Sequence, residues 1–359
     1  MIRSILSLLT LTLLLGTAQA QTTTGEPVKV IPGRWSAQKA NEWYAKQPWP
    51  VGANFTPSTA INQLEFWQED SWDPKTIDKE LGWAHDIGMN IMRVFLHNLL
   101  WEKDPEGLKK RMNEFLTIAD KHQIKILFVL FDSCWNDDPK LGKQPDPKPG
   151  VHNSGWLRAP GTKRMFDSRT WGSLEAYTKG VITAFGKDQR IWGWDLFNEP
   201  TNNGYNDAVM PLLIKSFEWA RAAKPTQPIT SGWWTEHPLS NEFMFANSDI
   251  ISFHNYKPAD NLEKQILELQ KLGRPMICTE YMARKHNSLF ETCLPIFKKY
   301  KVGAINWGLV QGKTNTYYAW DEPIPSGEEP KLWFHEVFRK DGTPYKAEKV
   351  KVIRDLTKK

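Results

Sequence analysis

Two glutamates stand where apolar runs stop. The run Ile-Trp-Gly-Trp-Asp-Leu-Phe that begins at residue 191 breaks off into Asn198-Glu199-Pro200, and the run that begins at residue 275 ends on Glu280. A run of strand length has no reason to end on an amide and a carboxylate unless these groups leave the core. Pro200 removes the next backbone donor and blocks further ladder pairing. Glu199 and Glu280 are therefore expected at the carboxyl ends of strands, near solvent. Two carboxylates facing a sugar-sized cleft are the minimal equipment for glycoside hydrolysis: one protonates the leaving oxygen, and the other attacks the anomeric carbon or activates water.

Other polar side chains fall at the ends of the same kind of run. Side chains two apart share a strand face, so Ile91, Arg93, Phe95 and His97 fall together, as do Ser252, His254 and Tyr256, and Met276, Cys278 and Glu280. A buried arginine facing a barrel interior needs a carboxylate partner. One polar residue at a strand end is most often a loop cap, but several strands with the same feature gather around one point once a barrel closes. Metal binding is the competing use of such carboxylates, and no His-x-x-x-His or clustered His/Asp set accompanies them, so no metal is expected. No Gly-x-Ser-x-Gly elbow offers a serine nucleophile, and no Gly-x-Gly-x-x-Gly follows the first strand. No cofactor is expected.

The elements that must position these residues alternate through the chain. Strand-like runs cover 50–55, 90–97, 124–132, 190–199, 228–232, 250–256, 275–280 and 303–307, and amphipathic helical stretches lie between most of them, at 73–86, 106–122, 171–186, 207–223, 262–272 and 290–301. Such alternation implies parallel strands joined by helical crossovers. Eight units fit a closed (β/α)8 TIM barrel better than an open doubly wound sheet. No charge break, linker or internal repeat divides residues 33–359, which read as one catalytic domain. The connection 133–169 is long and rich in proline and glycine, which marks it as functional or mobile and places it on the active-site face. Its Trp135 and Trp156 form either a substrate wall or pins that hold the loop to the body.

Composition narrows the class. Tryptophans number 18 in 359 residues, and flat indole faces suit the apolar faces of sugar rings, although half-buried aromatics under surface helices are the plainer explanation. Residues 1–20 carry Arg3, an apolar run from Ile5 to Leu15 and Ala18-Gln19-Ala20, the pattern of a secretory signal peptide. Residues 21–32 are polar and threonine-rich and read as a flexible leader. The protein is thus expected to be secreted or periplasmic, without a membrane span. Cys134, Cys278 and Cys293 are an odd set that cannot form a complete disulfide framework. The net charge of +5 is spread along the chain, with no basic stripe for nucleic acid, and nothing in the pattern specifies an oligomeric state.

Asn198-Glu199-Pro200, Thr279-Glu280-Tyr281, Arg93, His254-Asn255-Tyr256 and Trp307 together resemble the retaining glycoside hydrolases of clan A, most closely family 5, the cellulase and mannanase family. The resemblance spans essentially the whole mature chain. It implies that Glu199 is the acid/base and Glu280 the nucleophile, that Asn198 holds the sugar 2-hydroxyl, and that Arg93 keeps Glu280 ionised. By the same resemblance Tyr256 bonds near the nucleophile, His254 binds substrate or orients the acid/base, and Trp307 floors the subsite of the transferred sugar. His97, Asp132, Trp135, Trp156 and Trp234 are the further candidates for contacting a β-linked glycan. Asp132-Ser-Cys-Trp135 and Trp233-Trp234 depart from commoner members at positions where substrate is chosen. A long loop across a cleft can turn an open groove into a pocket for chain ends. A carbohydrate-binding barrel without turnover and a transglycosylase using the same glutamates are the alternatives.

Overall fold

The eight apolar runs form eight parallel strands: β1 (Val51–Asn54), β2 (Ile91–Phe95), β3 (Lys125–Asp132), β4 (Ile191–Asn198), β5 (Ile229–Gly232), β6 (Ile251–His254), β7 (Met276–Glu280) and β8 (Gly303–Asn306). A computed structural model describes residues 28–358, and structural statements refer to these residues; the expected signal peptide, 1–20, lies outside them. The sheet runs in the order β5-β4-β3-β2-β1-β8-β7-β6. The ring closes where Trp233 and Phe253 form a parallel bridge, with the His254 amide donating to Trp233 O at 2.8 Å. Both faces of these strands are covered, so they read as apolar runs rather than as an alternation.

Helix α1 (Ala37–Ala45) precedes the barrel, and one principal helix follows each strand: α2 (Pro74–Asp86), α3 (Pro105–Lys121), α4 (Trp171–Phe185), α5 (Met210–Ala222), α6 (Pro238–Asn247), α7 (Ala259–Gln270), α8 (Phe290–Lys299) and α9 (Ala347–Thr357). The starts of α2 and α3 combine an aspartate cap with proline in the first turn, Asp73-Pro74 and Asp104-Pro105, which satisfies free amides where proline costs no hydrogen bond. The main core lies between strands and helices. A second cluster, Ile91, Leu127, Trp192, Ile250, Ile277 and Ile305, fills the bottom of the barrel and is covered by Trp43 and Tyr44 of α1. Gly52 is required in β1, since a Cβ there would lie 1.6 Å from Ile91 O.

Two expectations change. Residues 28–32, read as the end of a flexible leader, lie against the body: Ile31 is buried, its amide donates to Asn247 Oδ1 at 2.6 Å, and Asn247 Nδ2 donates to Lys29 O. Val28 and Ile31 pack on the core, and these side chains with two amide bonds hold the segment in place. Helix α6 falls in a stretch with no amphipathic signal, because its inward face includes Ser240, Asn241 and Asn247.

Candidate active site

Arg93 lies at the centre of the barrel mouth and is fully buried. Its guanidinium donates to Asp195 Oδ2 from Nε (3.0 Å) and Nη2 (2.8 Å), to Glu280 Oε1 (2.9 Å) and Asn54 Oδ1 (2.9 Å) from Nη1, and to Asn198 Oδ1 from Nη2 (2.6 Å). Asp195 reaches this point because β4 carries a register shift. After it Gly193 and Asp195 pair with Leu127 and Val129. A guanidinium buried this deeply holds its charge through these acceptors, burial being outweighed by Asp195 and Glu280.

Glu280 ends β7 with one carboxylate oxygen on Arg93 and the other receiving the Tyr256 hydroxyl at 2.8 Å. Burial raises its proton affinity and the neighbouring Glu199 adds to this, while His254, Arg93 and Tyr256 oppose it. Glu199 follows β4 in the left-handed region, φ 42°, an uncommon conformation for a residue with a side chain. Its amide donates to Gly232 O at 3.0 Å. Oε1 lies 2.6 Å from His254 Nδ1, and Oε2 receives Asn202 Nδ2 at 2.5 Å and Cys134 Sγ at 3.2 Å. Burial raises the Glu199 carboxyl above its ordinary range, and no arginine or lysine donates to it among the described contacts. His254 is driven down to about 4 by burial and is neutral. One guanidinium thus faces two carboxylates directly, and the third carboxylate, Glu199, is the one best placed to keep a proton.

Single donor atoms of Glu199, His254 and Glu280 lie within 4.8 Å of one another, close enough to serve one metal ion. All three are already engaged, and Arg93 at 2.9 Å from Glu280 opposes a second cation there. Asn198 and Asp132 complete the floor. Asn198 Nδ2 donates to Asp132 Oδ1 at 3.0 Å, and Asp132 Oδ2 accepts from Trp156 Nε1 at 2.7 Å.

Above these groups opens a cleft of about 950 Å³ lined by Asp132, Trp135, Trp156, Asn198, Glu199, Trp234, His254, Tyr256, Glu280 and Trp307 among others. A buried acidic pair in an aromatic cleft at the carboxyl end of a (β/α)8 barrel is the setting in which the sequence matches the cellulase model of glycosyl hydrolase family 5 over residues 52–313. The chain belongs to glycosyl hydrolase family 5. It is a glycoside hydrolase by that membership. Family 5 structures resemble it in fold: the endo-1,4-β-D-mannanase of Thermotoga petrophila (14% identity, 86% of this chain and 98% of that chain, TM-score 0.57) and the β-1,4-mannanase of the sea hare Aplysia kurodai (16%, 80% and 96%, 0.53). An exo-β-1,4-mannosidase from an Opitutaceae bacterium aligns over 94% of this chain and 61% of that one, at 16% identity and TM-score 0.59. Comparison with curated protein sequences gives no match.

Of the residues expected at this family 5 site, Arg93 and His97 do not line the cleft; Arg93 lies beneath it, bonded to Glu280 and Asn198, whereas His97 has no part in it. The chain leaves the ladder after Phe95, and His97 becomes the cap of the short helix Asn98–Lys103, with Nδ1 accepting from the Leu99 amide at 3.2 Å and Nε2 facing Arg158 O at 3.0 Å. Strand parity does not extend past the strand. Asp132 lines the cleft, but its oxygens are taken by Asn198, Trp156 and the Cys134 amide, so it acts on the site through them. Trp135 and Trp234 are partly exposed, at 37% and 44%. Asp195 and Asn202 are not among the residues the sequence singles out, nor are Trp320 and His335, which enter the cleft from the connection after β8; Cys134, inside the Asp132–Trp135 run, takes its part through Glu199.

Proposed function

We propose that the protein is a retaining β-glycoside hydrolase in which Glu280 is the nucleophile and Glu199 the acid/base. The observation that carries this reading is that oxygens of the two carboxylates lie within 4.8 Å of each other. Double displacement uses carboxyl groups about 5 Å apart, whereas inversion needs more than about 6.5 Å to admit water between them. Their surroundings support opposite roles. Glu280, on Arg93 and Tyr256, is the better anion; Glu199, buried beside a neutral His254, is the better proton carrier.

In the first step a Glu280 oxygen bonds to the anomeric carbon, the glycosidic C–O bond breaks, and the Glu199 proton passes to the departing oxygen. In the second, Glu199 takes a proton from water, the water oxygen bonds to the anomeric carbon, and Glu280 is released. Asn198, with its oxygen on Arg93 and its amide nitrogen toward Asp132, is the contact for the 2-hydroxyl, and Trp307 floors the ring.

β-Mannosides are the first substrates to try, because the named mannanases and mannosidase share the fold. Export is supported by the pattern of residues 1–20. The test is a pair of variants assayed on aryl β-glycosides and on β-mannan, β-glucan and xylan. Glu280→Ala abolishes turnover, while Glu199→Ala keeps activity toward good leaving groups and is accelerated by azide. Wild-type behaviour of both variants overturns the assignment.

A further inference from the structure

We infer that the cleft is closed behind the sugar whose bond is cut, so that the enzyme removes single sugars from the non-reducing ends of β-linked chains. This rests on the roles proposed for Glu199 and Glu280. The proton donor marks the side on which the leaving sugar departs. Glu199 follows β4 beside Asn202, and the cleft extends from there past Trp234 to Gln265 of α7. The sugar that stays on Glu280 therefore lies toward Trp307 and Trp156, and any sugar linked to its non-reducing side points at the ends of β1 and β2.

That quarter of the barrel mouth is filled. Every residue lining the cleft lies at or beyond Asp132, so the connections after β1 and β2 contribute none. Phe95, Trp156 and Trp307 occupy the space as a three-ring cluster, with centroids 5.0 Å (Phe95–Trp156), 5.8 Å (Trp156–Trp307) and 5.9 Å (Phe95–Trp307) apart. Behind them lies a half-open recess of about 20 Å³, room for about one water molecule and none of a sugar. The wall continues across the mouth ring by ring, from Trp135 to His152 (5.2 Å), His152 to Trp320 (6.1 Å) and Trp320 to Tyr256 (5.0 Å).

The wall is fastened on both flanks. On the β1 side Asn62 Nδ2 donates to Gly155 O and Gln63 Nε2 to Leu157 O, each at 2.9 Å. On the β8 side the Asn153 amide donates to Thr314 O at 2.8 Å and the Ile324 amide to Gly150 O at 3.0 Å. Gly150 has φ 67°, and a Cβ there would lie 1.6 Å from Ile324 O, so the two loops approach as closely as glycine allows. A second sugar on the glycone side would have to break these bonds and separate the three rings. On the other side Trp234 is exposed, and a chain has room to continue.

The test compares p-nitrophenyl β-monosides of mannose, glucose and xylose with the corresponding β-1,4-biosides. A closed pocket turns over at least one monoside. It then cuts the matching bioside first into free monosaccharide and p-nitrophenyl monoside, so that nitrophenol appears after a lag. Immediate release of nitrophenol together with a disaccharide overturns the proposal. Degradation of mannan, glucan or xylan with no monoside turned over does so as well, and leaves the glycosidase reading standing. Absence of hydrolysis of every one of these substrates overturns both. The retaining roles are read separately, from the anomer first formed, so that inversion removes the catalytic assignment whatever the cleavage pattern.

Discussion

Cys134 Sγ lies 3.2 Å from Glu199 Oε2 and is also approached by Asn202 Nδ2 at 3.3 Å. The thiol is buried, and burial with the charges of Glu199 and Asp132 pushes its own ionisation well above the ordinary value, so it is a proton-bearing donor and not a nucleophile. Its hydrogen bond and that of Asn202 favour the Glu199 carboxylate and oppose the effect of burial. The proton affinity that burial gives the proposed acid/base is therefore moderated by a cysteine and an asparagine that do no chemistry themselves.

Removing that donor moves the pH profile in a defined direction. The acid must be protonated for the first step, so the rate falls as pH rises through the Glu199 pKa. Cys134→Ala deletes a bond to the carboxylate, raises that pKa further and shifts the descending alkaline limb of kcat/KM to higher pH. Cys134→Ser restores a donor and returns the limb toward wild type. The cost at the optimum is about fivefold, the equivalent of about 1 kcal/mol. Coincident limbs for the alanine variant and wild type would show that the contact has no such effect.

We predict that Asp132 acts on the reaction through Asn198. The Asn198 amide is fixed at both ends, its oxygen accepting from Arg93 and its nitrogen donating to Asp132. Asp132→Ala leaves the nitrogen end free to turn and weakens the contact with the substrate 2-hydroxyl. The expected loss in kcat is about 10- to 100-fold, or roughly 1.4–2.7 kcal/mol. On the matching 2-deoxy glycoside, which has no such hydroxyl, the difference between variant and wild type shrinks sharply. An equal loss on both substrates would mean that Asp132 only supports the loop.

The sequence carries the barrel plainly, because parallel strands covered on both faces keep apolar runs wherever they stand. It also carries Arg93, Asn198, Glu199, His254, Tyr256 and Glu280, which sit in or just beyond regular strands. The losses have local causes. Asp195 stands inside an otherwise apolar run, and a carboxylate in a buried strand is itself a signal for the partner Arg93 needs; only the register shift in β4 decides which face it takes. Strand parity points His97 toward the site, but the parity ends with β2 at Phe95. Trp320 and His335 lie in the connection between β8 and α9, where no periodicity says which residues turn toward the cleft. The wall they form with residues of 133–169 is fastened on its β8 side by backbone hydrogen bonds between loops, which leave little trace in residue type.

Asp195 is a stability determinant before it is anything else. It and Arg93 are both fully buried, 2.8 Å apart. Breaking a buried pair from one side leaves an uncompensated charge, at a cost of about 3–5 kcal/mol. Asp195→Ala should lower unfolding stability by that amount in urea titration. A loss under about 1 kcal/mol would mean that Glu280 alone satisfies the guanidinium. Asp195→Asn, which retains an acceptor, should fall between the two.

Glu336 should make stability fall as pH rises from about 4.5 to about 8. It is fully buried, one oxygen accepts from the Thr316 hydroxyl, and the other has no partner among the described residues. Burial pushes its carboxyl from 4.5 up to about 8. A raised carboxyl pKa means that the folded state holds the proton more tightly than the unfolded state. Its contribution is thus fully present below about pH 4.5 and is lost as pH rises to about 8. Glu336→Gln cannot ionise and escapes that loss. The glutamine variant should melt close to wild type at pH 4 and above it at pH 9. The gain should grow between these values and then level off, as read by calorimetry across the range. A Tm difference that is the same at both ends would place the effect in packing rather than in the proton.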